Sequence, residues 1–153
     1  MKYLKLFMYF ILIFCFIEFI LFTIVRQYKR KKNFKNAEED SKKFNLPLMV
    51  VGDPDGGWFC RHFGRTYNCG DLCVDLKGCP NCKNSIQDNI LNVLKDKDDN
   101  SYIIFESCVL EYVNDDEYQE IVKEMNRVGK KVYNVRISPS FLCLFKSFTK
   151  LLE

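Results

Sequence analysis

Residues 6–25 run for twenty residues with one ionisable side chain, Glu18. A domain of this size has no interior in which to hide such a run on all sides. At a helical rise of about 1.5 Å per residue, the run crosses a hydrocarbon core of about 30 Å. It leads into Thr23-Ile-Val-Arg26 without a cleavage pattern of the Ala-x-Ala kind. The sequence therefore predicts an uncleaved transmembrane anchor over residues 1–25 rather than a secretory signal. Glu18 within the span is tolerated when it is protonated or close to an interface.

Charge is distributed unevenly around this run. Residues 1–25 carry two lysines against Glu18, residues 26–45 carry eight basic and three acidic side chains, and residues 46–153 carry 13 basic and 16 acidic ones. Their nets of +1, +5 and −3 add to the formal +3 of the whole chain. Arg26, Lys29, Arg30, Lys31, Lys32 and Lys35 outnumber Lys2 and Lys5 on the other flank. The excess of basic residues predicts that the C-terminal domain lies in the cytosol. Residues 26–45 are expected as a basic, charged linker, either solvated throughout or continuing the membrane helix for a turn or two before becoming a solvated tether, and its basic block meets anionic lipid heads. The folded part, being net acidic, lacks the footprint of a nucleic-acid binder.

In the cytosol, Cys60, Cys69, Cys73, Cys79, Cys82, Cys108 and Cys143 are expected as thiols or metal ligands, while Cys15 lies in the span. The spacing Cys69-x3-Cys73-x5-Cys79-Pro-Asn-Cys82 offers four thiolates to one Zn²⁺, because a Cys-x2-Cys turn aims two sulfurs at one point. The competing reading leaves these as unrelated reduced thiols, with Cys73 a small buried hydrophobe inside a strand.

Beyond Pro47, short apolar runs alternate with helical periods. Leu48-Met-Val-Val51 is an uninterrupted run of the kind found in parallel strands covered on both faces. It stops in Gly52-Asp-Pro-Asp-Gly-Gly57, where glycines leave room for a ligand to approach the backbone. Trp58, Phe59, His62 and Phe63 recur at helical spacing up to Gly64, and His62, the only histidine, has no identifiable catalytic partner. Leu72-Cys-Val-Asp75 reads as a second strand. Residues 78–83 form a turn around Pro80, and residues 85–94 read as a helix with Asn84 and Gln87 as a capping pair, or as a short strand followed by a helix.

Residues 102–107 give the strongest strand signal. Asn114 is placed as the N-cap of a helix lined by Tyr118, Ile121, Val122, Met125 and Val128 and ended by Gly129. Residues 131–137 alternate as another strand. Ser138-Pro139 opens a last helix, with Phe141, Leu144, Phe145 and Phe148 on one face. Strand and helix alternate throughout, which predicts an α/β fold: a small Rossmann-like parallel sheet with flanking helices over residues 46–153, preceded by a single transmembrane helix.

The segment Tyr102-Ile-Ile-Phe-Glu-Ser-Cys-Val-Leu-Glu-Tyr-Val113 resembles the fourth strand and following turn of class I S-adenosylmethionine-dependent methyltransferases of the type-11 branch. Met125-Asn-Arg-Val-Gly129 leading into Lys131-Val-Tyr-Asn-Val135 resembles their next helix and fifth strand, and Gly52-Asp-Pro-Asp-Gly-Gly57 resembles their cofactor loop. The resemblance implies that Gly52, Asp53, Gly56 and Gly57 approach the methionine part of S-adenosylmethionine. It implies that Asp75, 23 residues after Gly52, accepts from the ribose hydroxyls. Asp88 or Gln87 would reach the adenine amine, and Glu106, Ser107 and Cys108 would line the floor near the sulfonium.

Three features depart from the family pattern. Val50 stands where an acidic residue is expected, Pro54 and Asp55 occupy the middle of the loop, and the antiparallel strands that complete the family's sheet are expected to be absent. The resemblance thus implies a membrane-anchored, minimal or degenerate methyltransferase-like protein with no assignable catalytic residue and an undefined small-molecule or protein substrate. The alternative is a non-catalytic membrane-tethered interaction module, stabilised by zinc at Cys69, Cys73, Cys79 and Cys82.

Overall fold

The computed structural model describes residues 2–56, 64–107, 109–110 and 113–135. In chain order they form α1 (Lys2–Phe44), β1 (Leu48–Val51), β2 (Leu72–Asp75), β3 (Ser85–Gln87), α2 (Ile90–Lys95), β4 (Tyr102–Ser107), α3 (Asp115–Val128) and β5 (Gly129–Val135). α1 up to Tyr28 belongs to one compact unit, and Lys29–Arg136 forms a second. The expected helix around Trp58–Phe63 and the expected C-terminal helix lie outside the described residues.

The first part of α1 is apolar on every side. Phe7, Phe10, Phe14, Phe16, Ile17 and Phe19 are all exposed, and the most apolar 18-residue window has a mean hydropathy of 2.6 with none of it buried. An uncovered helix of this composition is not a core helix. It is one helix near the N-terminus, long and apolar enough to cross a membrane. Thr23 Oγ1 donates to the Phe19 carbonyl at 2.8 Å, so this hydroxyl is satisfied within the helix.

The second unit is built on a five-stranded sheet in the order β3-β2-β1-β4-β5, every neighbouring pair parallel. β1 is central, pairing with β2 through Met49–Leu72 and with β4 through Leu48–Ile103. Its four residues are all buried, at 3% exposure or less. This explains the unbroken apolar run, since a strand covered on both faces has no side left for polar residues.

Side-chain alternation divides the strands between two layers. On one face Met49, Val51, Val74 and Ile104 meet Ile90, Val93 and Leu94 of α2 and Ile121, Met125 and Val128 of α3. On the other, Phe105 meets the rings of Phe34 at 5.2 Å and Tyr67 at 5.0 Å, both in edge contacts. Such ring pairs add to the apolar area that they bury.

That second layer differs from the solvated linker expected over residues 26–45. The charged stretch is helical to Phe44, and Phe34, Ala37 and Asp40 are buried while Lys29, Lys31, Lys32 and Lys35 are exposed. Asp40 accepts hydrogen bonds from Lys131 Nζ, at 2.6 Å, and from the Tyr133 hydroxyl on β5. Asn33 Nδ2 donates to the Asn134 carbonyl. The end of α1 is thereby fixed to the sheet by a few residues at helical spacing that the surrounding lysines conceal.

Local signals account for the remaining elements. Asn114 Oδ1 accepts from the Glu117 N–H at 2.9 Å and caps α3, whose first turn carries Asp115, Asp116 and Glu117. These acids suit the positive end of the helix dipole. Residues 85–87 pair with β2 as a strand, and the cap of α2 is Asn89, accepting from the Leu91 N–H, rather than the expected pair Asn84 and Gln87. Arg127 Nη2 donates to the last-turn carbonyl of Leu94 at 2.9 Å while its guanidinium pairs with Glu124 and Asp99, tying the end of α2 to α3.

Two outcomes follow. Truncating the fully buried Phe105 to alanine lowers unfolding stability by about 3–5 kcal/mol in urea titrations of the detergent-solubilised chain. The hydrogen bonds from Lys131 and Tyr133 hold the Asp40 carboxyl below its usual value, against some opposing desolvation. Burial and the contact with Asp40 raise the Tyr133 hydroxyl to about 12. A depressed carboxylate stabilises the fold above its unfolded value and loses that contribution as pH falls through the folded one. Asp40→Asn therefore lowers the thermal midpoint at pH 7, and the gap from wild type closes as the pH is taken below about 4.

Candidate functional site

Because the five strands are parallel, their carboxyl ends lie along one rim, and the segments leaving β1, β2, β3 and β4 all emerge there. The chain steps outward from β1 to β2 to β3, then continues on the other side of β1 at β4. The strand order reverses between β1 and β4, where open α/β sheets form a crevice.

Gly52 closes β1 at this point with φ +104°, and a Cβ there would sit 2.7 Å from Val109 Cγ2 and 3.7 Å from the Ser107 carbonyl oxygen. The position demands glycine both for its conformation and for its closeness to the end of β4. The Gly52 N–H donates to the Val74 carbonyl at 2.9 Å, and the Asp53 N–H donates to Asp75 Oδ2 at 3.2 Å. The glycine loop and the acidic end of β2 are thus joined directly. Asp75 Oδ1 also accepts from the Lys77 N–H at 2.7 Å. A carboxylate has about four acceptor sites, so two backbone donors leave capacity for a ligand's hydroxyls.

The unusual middle of the loop has a local cause. The Gly56 N–H donates to the Asp53 carbonyl at 2.9 Å and the Asp55 N–H to Asp53 Oδ1 at 3.0 Å. This is a β-turn with Pro54 at the position that favours proline. Asp55 is taken up by its neighbours: Arg65 pairs with both carboxylate oxygens, and Asn81 Nδ2 donates to Oδ2 at 2.7 Å. The Arg65 bond holds the Asp55 carboxyl below its usual range, opposed by partial burial and assisted by Asn81. The same pairing raises Arg65.

The other expected site residues divide. Glu106 is fully buried, and its Oε1 accepts from the N–H groups of Val109 at 2.6 Å and Leu110 at 3.2 Å. It shapes the turn after β4. Ser107 is 5% exposed, and its Oγ has no hydrogen-bond partner among the described residues. Asp88 lies beyond edge strand β3, exposed, holding the Asn89 N–H and Asn92 Nδ2. No hydrogen bond among the described residues joins it to Gly52, Asp53 or Asp75. Gly57 and Cys108 fall outside the described residues. Arg65 and Tyr67, whose hydroxyl donates to the Asp53 carbonyl at 3.4 Å, support the loop from a segment with no periodicity or motif to announce them, and Asn81 does so from within the turn from Cys79 to Cys82.

All four cysteines of the expected metal set come together beside this loop. They are paired as disulfides, Cys69 with Cys82 and Cys73 with Cys79, where thiols or metal ligands were expected. The three sulfurs of Cys73, Cys79 and Cys82 lie within 4.8 Å of one another, and Cys69 is bonded to one of them. The donor set also fits zinc, which takes four thiolates in closed structural sites.

Gly52→Ala forces an L side chain into a left-handed conformation and onto Val109, so it costs about 1–3 kcal/mol of stability. Gly56→Ala, at an exposed position whose Cβ would first meet the Asp53 carbonyl oxygen at 3.0 Å, costs less; paired denaturant titrations compare the two. In comparisons with known proteins, no family model, curated protein or solved structure matches the chain.

Proposed function

We propose that the chain is a membrane-anchored, minimal methyltransferase-like protein whose sheet rim binds S-adenosylmethionine, with the domain on the cytosolic side. The observation that carries this reading is the strand order β3-β2-β1-β4-β5, all parallel, with Gly52 at the reversal and its loop bonded to Asp75. The order matches the first five strands of a doubly wound 3-2-1-4-5-6 sheet, in which nucleotide ligands lie in the crevice where the strand order reverses, and this supports the reading.

Each residue then has a defined task. Gly52 and Gly56 bring backbone without side chains against the methionine part, with Asp53 beside them. Asp75 uses its remaining acceptor sites for the ribose hydroxyls, and Asp88 or Gln87 meets the adenine amine. Glu106 holds the turn after β4 in place, and Ser107 floors the recess. Bound S-adenosylmethionine supplies an electrophilic methyl group, and the protein's part is to position and desolvate it. Asp55, neutralised by Arg65, does not oppose the methionine carboxylate, which removes one objection raised by its presence in the loop.

Anchoring rests on the uncovered apolar part of α1, and orientation on the excess of basic residues after it. Lys29, Lys31, Lys32 and Lys35 are exposed and suit anionic lipid heads.

Calorimetry of the full-length chain in detergent micelles tests the reading. S-adenosylmethionine gives saturable heat, and Asp75→Ala weakens binding by about a hundredfold or more, the loss expected for two hydrogen bonds to a charged acceptor at about 1.5 kcal/mol or more each. A folded wild-type chain giving no heat overturns it and favours the non-catalytic interaction module.

A further inference from the structure

Nine residues, 76–84, connect β2 to its parallel neighbour β3. Parallel neighbours ordinarily need a crossover of a dozen or more residues, usually a helix that supplies its own apolar layer. In this connection Cys79 alone is buried. Apolar contacts therefore do little to hold it, and its sulfurs supply the covalent tie beside hydrogen bonds such as that from the Cys79 N–H to Ser85 Oγ at 3.0 Å.

The arrangement of those sulfurs is more specific than two structural bridges require. Cys73 on β2, Cys79 and Cys82 in the connection, and Cys69 just before β2 converge so closely that sulfurs of different bridges lie within 4.8 Å. In a tetrahedral zinc thiolate with bonds of about 2.3 Å, the sulfurs stand about 3.8 Å apart. Bridged partners would have to separate to that spacing, Cys82 would have to close on Cys73 and Cys79 by about 1 Å, and Cys69, outside that 4.8 Å group, would have to move in beside them. Cys79 and Cys82 are already folded into a turn, the Cys82 N–H donating to the Cys79 carbonyl at 3.0 Å. Arg65 Nη1 donates towards Cys69 Sγ at 3.8 Å while Nε and Nη2 hold Asp55, and an N–H so placed suits a thiolate acceptor. The cytosolic placement proposed above, on which the direction of the switch rests, puts the domain where such bridges are normally reduced.

We propose that Cys69, Cys73, Cys79 and Cys82 form a redox-switched zinc site. In the reduced protein four thiolates hold one Zn²⁺ in place of the missing crossover helix. Two molecules of a disulfide oxidant such as glutathione disulfide take up the four electrons released as Cys69–Cys82 and Cys73–Cys79 close. Each molecule is split into two thiolates, and Zn²⁺ leaves. The total charge of −2 is the same on both sides, and no proton is needed.

The test uses the full-length chain in detergent, reduced with a phosphine, supplied with Zn²⁺ and freed of excess metal. One zinc per chain is expected, and Co²⁺ in its place gives the thiolate charge-transfer absorption of a tetrahedral site. Glutathione disulfide then releases the zinc while four thiols disappear, and unreduced protein binds none. Cys82→Ser lowers zinc affinity at least about tenfold, whereas Cys15→Ser in the apolar helix leaves it unchanged. Fewer than one zinc per two chains in reduced, folded wild-type protein overturns the proposal, and so does equal zinc affinity in wild type and Cys82→Ser. Because the metal content is read on wild type, a variant that fails to fold does not decide the matter. Cytosolic placement is decided separately from metal binding: protection of the domain from protease added to the cytosolic face of sealed vesicles overturns the direction of the switch.

Discussion

The insertion of β1 between β2 and β4 is the constraint on which the second unit depends. Four residues without a polar side chain pair on both edges and are covered on both faces, so the chain on either side must supply two layers. α2 and α3 provide one, and Phe34 with Tyr67 provides the other. The same insertion puts the first glycine loop at the reversal of strand order. Gly52 can lie against Val109 and Ser107 only because β4 is the neighbour of β1 there.

Elements dictated by a continuous local pattern were legible in the sequence. Leu48–Val51, Leu72–Asp75 and Tyr102–Ser107 announce themselves as short apolar runs bounded by turn residues, and Asn114 with Gly129 brackets an amphipathic stripe. Between Lys29 and Phe44 the pattern was hidden. Phe34 packs on Phe105 beside Tyr67, Ala37 is buried, and the abundant lysines around them give the composition of solvated chain. β3 was ambiguous for a different reason: Ser85–Gln87 has three residues, fewer than any period needs to declare itself.

The candidate site was legible in its parts. Gly52 and Asp75 were readable because each ends an apolar run, and parallel strands bring such ends together. The hydrogen bond from Asp53 to Asp75 and the capture of Asp55 by Arg65 and Asn81 depend on long-range placement. No spacing rule carries that information. Cysteine spacing named the four sulfurs that meet, while the pairing of Cys69 with Cys82 and of Cys73 with Cys79 depends on how residues 76–84 fold back beside β2.

The burial of Phe34, Ala37 and Asp40 bears on how the second unit is released from the apolar helix. A protease cutting within the lysine-rich stretch, or an expression boundary drawn at Pro47, would uncover the aromatic side of the sheet and leave Lys131 and Tyr133 without their acceptor. A fragment that retains its second layer has to begin upstream of Asn33, so the stretch that looks most dispensable is the one that a truncated, water-soluble form can least do without.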